Sequence, residues 1–206
     1  ELQRANAELE RSNELKTRFV GMAAHDLRSP ISAIKLASQE LGEAIPESAS
    51  HLREEVEALR RAAGFMGRIV DDFLDVALID AGQLELHVEP TRLRGVVEEA
   101  LRMAQPRARR KSVTLTFEPR ADLSLDADAS RLQQVLMNLL NNAVDHSPGG
   151  ATVTVILEQR QQRALIHVRD QGHGVAPEVR DNLFGAFVHG HDKTMGERSI
   201  GLGLAI

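Results

Sequence analysis

Over its first 44 residues the chain places Leu2, Ala5, Leu9 and Ser12, then Leu15, Phe19 and Met22, at intervals of three and four. Such intervals return to one stripe of an α-helix and mark an interhelical seam. The segment is therefore predicted as one long helix over residues 1–44. Two successive intervals of three around Ser12 locally overwind a coiled coil. The polar start favours a parallel stalk over residues 1–18, entering from an upstream module; an ordinary amphipathic helix with a weak seam is the plainer alternative. Gly42, Pro46 and Ser48 mark a turn. Leu52, Val56, Leu59, Ala63, Met66, Val70, Phe73 and Leu74 then form the apolar stripe of a second helix, to about Asp80. Two long helices across a short loop make an antiparallel hairpin. One hairpin buries too little surface alone, so two are expected to pair as a dimeric four-helix bundle.

Beyond residue 80 the pattern changes. Residues 81–90, with Gly82, read as a linker, and residues 91–206 as a second domain. Thr91 is placed as the cap of a helix from Leu93 to about Arg109. Val113 to Phe117 alternates as a strand, and Leu123 to Leu125 forms a shorter one. Asp128 to His146 is strongly helical and ends at Ser147-Pro148-Gly149-Gly150. Thr152 to Leu157 and Arg163 to Asp170 are predicted strands joined by a Gln-rich turn. Residues 171–200 are Gly-rich and polar, longer than an ordinary connection, and read as a lid. A helix opens near Gly201. This order gives an α+β domain with helices on one face of a mixed sheet.

Composition removes several functional classes. Aromatic residues are 3% of the 206, with no Trp or Tyr, which leaves no stacking platform for single-stranded nucleic acid. The net charge of -5 argues likewise, and the basic run Arg107, Arg109, Arg110 and Lys111 is read as a helix end complementing its dipole. With no Cys, disulfides, thiolate catalysis and Cys-ligated zinc are excluded. No apolar run reaches membrane-spanning length; the absence of Cys fits a reducing compartment and a cytoplasmic location is expected, with an anchor elsewhere in a longer protein left open. The chain starts without Met and stops at Ile206 inside an apolar helix, as an interrupted domain does.

Chemistry concentrates in four places. Residues 19–31 read Phe-Val-Gly-Met-Ala-Ala-His-Asp-Leu-Arg-Ser-Pro-Ile. His25 adjoins Met22 and Ser29 along the helix, beside the apolar stripe with its ring toward solvent. An imidazole attacks only when neutral, and phosphorylation of one nitrogen requires the other to lose its proton. Asp26 is the nearest carboxylate to accept or orient that proton. Pro30 cannot donate to the carbonyl of Asp26, and a bend is expected one turn below the nucleophile. Further on, Asn138 and Asn142 lie one turn apart on a helix that also carries Asn141. Three Asn in five helical residues are unfavourable on propensity, and ligand contact is the best reason to keep them. Their amides suit a hard cation and phosphate. Asp170-Gln171-Gly172-His173-Gly174 follows a strand, and Gly201-Leu202-Gly203 opens a helix whose backbone donors are open to phosphate.

The first of these resembles the phosphoacceptor box of sensor histidine kinases. The Asn helix is similar to the Asn box of the ATPase superfamily shared by histidine kinases, gyrase, Hsp90 and MutL. All four motifs stand in that family's order from about Phe19 to Ile206. The resemblance implies a phosphoacceptor and dimerisation domain over residues 19–80, then an α+β sandwich ATP-binding domain. It implies catalysis by His25 with Asp26 as base, and Ser29 at the position tied to phosphatase activity. It implies nucleotide contacts from Asn138, Asn142, His146, Asp170, Gly172, Gly174, Gly201 and Gly203, and Mg2+ at Asn142. A homodimer, a response-regulator receiver domain and an upstream sensor module are the implied partners.

In gyrase, Hsp90 and MutL relatives a Glu one turn before the key Asn activates water. Here that position is Asn138, an amide that cannot act as a base, so the domain is expected to hold ATP for His25. Three departures from the family pattern stand out: Asp145 where a Lys is frequent, Ala186 in place of an Arg of the lid, and Arg198-Ser199-Ile200 before the final motif. Each charged hydrogen bond is worth roughly 1.5–3 kcal/mol, so these losses weaken ATP binding unless Lys193 and Arg198 compensate. His189, His191 and Asp192 are read as a polar lid tip rather than a zinc site. Two other classes stay open: a phosphorelay with degraded ATP binding, and a scaffold that only transmits conformational change.

Overall fold

The computed structural model describes residues 2–46, 48–175, 177–180, 182–184 and 204, the side chains of residues 2–14, 16–19, 178 and 179 apart. The chain divides into two compact units, the first running to Leu84 and the second beginning at Glu85.

The first unit is a helical hairpin of α1 (Leu2–Ala44) and α2 (Ser50–Asp80). α1 continues through Pro30 without ending. At the turn, Arg53 donates from Nε and Nη2 to the carbonyl of Ile45 at 3.0 and 2.7 Å, satisfying an end-of-helix acceptor. Small side chains let the two axes approach: Val20, Ala24, Ala63, Val70 and Ala77 are buried between them. The predicted stripe of α2 proves to be two stripes. Ala63, Val70 and Ala77, seven apart, are buried in the hairpin, whereas Leu52, Leu59, Met66 and Phe73, also seven apart, are exposed. Leu27, Ile34 and Leu41 repeat that exposed heptad on α1, with Leu15 and Met22 above them. The remaining seam residues of the stalk, Leu2, Ala5, Leu9, Ser12 and Phe19, have side chains outside the described set.

The second unit comprises β1 (Glu89–Arg92), α3 (Leu93–Arg110), β2 (Thr114–Pro119), β3 (Ser124–Ala127), α4 (Ala129–His146), β4 (Thr152–Arg160), β5 (Arg163–Arg169) and the short α5 (Pro177–Arg180). β2 pairs in parallel with β4, Thr114 opposite Thr152, and β4 pairs antiparallel with β5, Val155 opposite Val168. Alternation puts Leu115, Phe117, Val153, Val155, Ile166 and Val168 on one face, where α3 and α4 cover them. Ala100, Ala104 and Ala108 of α3 and Leu136, Leu140 and Val144 of α4 complete that core. Burying each Val or Leu there stabilises the fold by roughly 1.5–3 kcal/mol.

One expectation is corrected. Thr91 does not cap α3; it lies in β1, a strand that takes in Glu89 and Pro90 from the predicted linker and pairs antiparallel with β3. The Thr91 hydroxyl is buried and shared between the carbonyls of Glu89 and Ala127 at 2.9 and 3.0 Å. α3 starts at Leu93 with Arg92 at its N-cap and no side-chain cap bond, and the Leu93 N–H donates to the carbonyl of Leu123 instead. A Pro and flanking charges hide such a strand in sequence, because its only support is the pairing with β3.

Candidate functional site

On α1, buried Val20 and Ala24 face α2, and the next residue, His25, projects outward. Its side chain and that of Asp26 are each 83% exposed, with His25 Nδ1 and Asp26 Oδ1 3.4 Å apart, a long contact. Ser29, one turn on, is exposed, and Pro30 supplies no N–H to the carbonyl of Asp26. Nearby, Arg28 Nε donates to Asp71 Oδ1 of α2 at 2.8 Å, pinning this stretch of α1 to its neighbour. The acid next to it, Asp72, has a carboxyl held above the usual range. Partial burial is the main cause, and the negative charges of Asp75 and Asp71 add to it against the opposing Arg68.

In the second unit, α4 carries the amides. Its start is fixed by Asp128, whose carboxylate accepts from the Ser130 hydroxyl at 2.7 Å and from the backbone N–H of Ser130, Arg131 and His87 at 3.0 Å each. The Ser130 bond first, then those backbone donors, hold this carboxyl well below the usual carboxylate range. Asn138 and Asn142 follow, half-buried and one turn apart, and His146 ends the helix. Each four-residue step turns roughly 40° around the axis, so Asn138, Asn142 and His146 advance toward one flank.

That flank meets the loop after β5. A side chain at Gly172 would place its Cβ 2.6 Å from the carbonyl oxygen of His146, so only glycine fits there. Gly174 has φ of +76°, a left-handed conformation that glycine adopts without strain. Asp170 Oδ1 accepts from the Gly172 N–H at 2.8 Å, and Gln171 Oε1 accepts from the Thr152 N–H at 2.9 Å, tying the loop to itself and to β4. The rings of His146 and His173 lie edge to face with centroids 5.3 Å apart, and His173 Nδ1 donates to the carbonyl of Gly174 at 2.9 Å. His146, Asp170, Gly172 and Gly174 are therefore gathered at the end of α4, with Asn142 one turn back. Lys193, Gly201 and Gly203 lie outside the described residues, as do Ala186, His189, His191, Asp192 and Arg198.

Among the described residues no three His, Asp or Glu side chains converge as a metal cage. The amide oxygens of Asn138 and Asn142 are neutral, hard donors, a set that suits a Mg2+ ion arriving with phosphate oxygens. Sequence reasoning missed what flanks this site. Asp145 does not stand free beside the nucleotide face: Arg107 of α3 holds it by two parallel bonds of 2.8 Å, Nε to Oδ1 and Nη2 to Oδ2. Lys111 reaches past its own helix to the carbonyl oxygens of Val144 and Asp145. Helical spacing rules see charge pairs three or four apart. A pair 38 residues apart leaves no such signal.

Two family models match the chain: "His Kinase A (phospho-acceptor) domain" over residues 15–82, and "Histidine kinase-, DNA gyrase B-, and HSP90-like ATPase" over residues 127–206. Among curated proteins, the sensor protein DivL of Caulobacter vibrioides is 35% identical over 202 residues, 98% of this chain and 26% of that protein. The cell-division control histidine kinase PdhS of Brucella canis is 30% identical over 85% of the chain and 17% of its own length. The chain thus spans about a quarter or less of these relatives. Among solved structures, full-length ShkA in complex with AMPPNP aligns with a TM-score of 0.73 and 28% identity, covering 92% of this chain and 39% of that one. The histidine kinase AdeS of Acinetobacter baumannii aligns with a TM-score of 0.59 and 25% identity, over 88% and 82%.

Proposed function

This chain belongs to the sensor histidine kinases, with a phosphoacceptor hairpin and an ATP-binding α+β domain, and we propose that it transfers the γ-phosphoryl group of Mg-ATP to His25. The observation that carries this reading is the pairing of an exposed, acid-flanked His25 with an Asn helix that has an amide, Asn138, one turn before Asn142. A domain of this type without a Glu there has no group to activate water, so the bound nucleotide awaits a nucleophile from the protein. In the step, one imidazole nitrogen forms the N–P bond, the bond from the γ-phosphorus to the bridging oxygen breaks, and ADP departs. Asp26 takes the proton from the other ring nitrogen. Asn138, Asn142 and the backbone at Gly172 and Gly174 bind and orient the nucleotide, with His146 against the base and Asp170 receiving its amino group. Gly201, Gly203 and Lys193 are assigned to the phosphates. Asn142 would hold Mg2+, which when bound would neutralise charge on the phosphate oxygens; positioning by the residues above does the rest.

The phosphoryl group then passes to an Asp of a response-regulator receiver domain, and Ser29 is assigned the role of orienting water for its later removal. The exposed heptads Leu27, Ile34, Leu41 and Leu52, Leu59, Met66, Phe73 favour a homodimer in which two hairpins make a four-helix bundle. ATP as donor puts both domains in the cytoplasm, whatever precedes them, and no described helix is long and apolar enough to cross a membrane. Asp145 gives no support to a degraded ATP site, since Arg107 already neutralises it.

The test is incubation with γ-labelled ATP and magnesium. Acid-labile label on the wild type, lost in His25→Ala and in Asn142→Ala, supports the kinase. No label on a folded wild-type chain refutes it for these residues and leaves the relay or scaffold.

A further inference from the structure

We infer that Arg107 and Asp145, backed by Lys111, form a positioning clamp that sets the base end of the nucleotide cleft; the inference rests on the ATP reading above. The last turn of a helix leaves carbonyl oxygens without helical donors. In α4 those of Val144 and Asp145 are taken by Lys111 Nζ, while the Asp145 side chain receives both bonds of the Arg107 fork. Both side chains of that pair are largely sheltered, at 25% and 33% exposure, where a bidentate contact gains geometric definition. A third tie comes from the loop that follows α4, whose Gly150 N–H donates to the carbonyl of Ser112 at 2.7 Å. The end of α4 is therefore fastened to the end of α3 on one flank.

The next residue of the same turn, His146, meets the loop after β5. The carbonyl of His146 sits against Gly172 with no room for a Cβ, and the His146 ring meets His173. There is little slack between them, so a shift of this turn moves His146 relative to Asp170 and Gly174. Arg107 and Lys111 touch no nucleotide in this scheme. They fix the group that does.

The two roles open to Asp145 predict opposite results. As a lost phosphate contact, Asp145→Lys would tighten ATP binding. As half of a clamp, Asp145→Lys faces Arg107 with a second cation and weakens it. ATP affinity of the full chain, measured by calorimetry with magnesium, is expected to fall roughly tenfold in Asp145→Lys and in Arg107→Glu, a size ordinary for residues that act through others. Joining the two substitutions reverses the pair and should restore affinity to within about threefold of wild type. Tighter binding in Asp145→Lys, unchanged binding in both single variants, or a double variant as weak as either single overturns the clamp.

Amide exchange on the nucleotide-free chain separates the clamp from the ATP reading. Faster exchange at His146, Gly172 and His173 in the single variants, with Leu136 and Leu140 unchanged and the double variant restored, supports the clamp even if the wild type binds no ATP. Exchange that is unaltered at those three amides, or raised equally across α4 as a merely structural role would have it, overturns it.

Discussion

In the second unit Leu140, Val144, Val153, Val155 and Leu157 are all at 1% exposure or less, while in the hairpin Leu59, Met66 and Phe73 stand at 54%, 41% and 47%. Both sets are periodic, and both look like core in sequence. The α+β unit closes its core within one chain because two helices cover one face of a sheet. A two-helix hairpin has no such second layer, so it can bury only the narrow line of Ala63, Val70 and Ala77 against α1. Its larger apolar residues are left for another surface. The same hydrophobic pattern thus encodes a buried core in one unit and an exposed stripe, the proposed dimer surface, in the other.

The comparison can be broken most sharply at Leu140. Leu140→Ala should cost the second unit about 2–5 kcal/mol while leaving the hairpin's melting transition in place, which calorimetry of the two transitions would show. A single merged shift would mean that the units do not melt independently. Met66→Asp should do the reverse, sparing the monomer's helicity by circular dichroism while weakening self-association by about 2 kcal/mol or more in sedimentation equilibrium. Unchanged association would remove the exposed heptads as the dimer surface. Thr91→Val, which deletes the buried hydroxyl between β1 and β3, should lower the second unit's stability by about 1 kcal/mol in urea titration.

Acid should produce the smallest and most telling effect, because Asp128 in one unit and Asp72 in the other are displaced in opposite directions. Asp128 has a depressed carboxyl, so the unfolded chain takes its proton first as pH falls through the ordinary carboxylate range; the stability it contributes is present above that range and lost below it. Asp72 has a raised carboxyl, so the folded hairpin binds its proton first; the hairpin gains stability as pH falls from above the raised value to below the ordinary one. Melting each unit across that window should show opposite slopes, reduced by Asp128→Asn in one and Asp72→Asn in the other.

Much of this was legible in sequence where signals are local. Helix periods gave α1, α2 and α4, the Ser-Pro-Gly-Gly run gave the end of α4, alternation gave β2, and β4 and β5 were read on either side of a Gln-rich turn. Asn138 and Asn142 stood out because they run against helix propensity, and His25 and the Asp170 loop because their motifs resemble those of the family. β1 was illegible, since four residues with a Pro and two charges form a strand only when β3 is beside them. The splitting of the α2 stripe was hidden as well: Val70 and Met66 differ little in sequence, and only α1 decides which of them is covered.

What the sequence determined by itself was the order of the longer elements and the presence of a histidine, an amide helix and a Gly-rich loop in one chain. Those follow from backbone propensity, periodicity and chemical type, which are properties of short windows. Only the tertiary structure decided which partner each charge takes. Asp145 looked like an anion misplaced among phosphates until α3 brought Arg107 to it across 38 residues. It also decided that His146 must press its carbonyl on Gly172. Contacts of this kind depend on how two helices pack on a sheet, and no spacing along the chain records that.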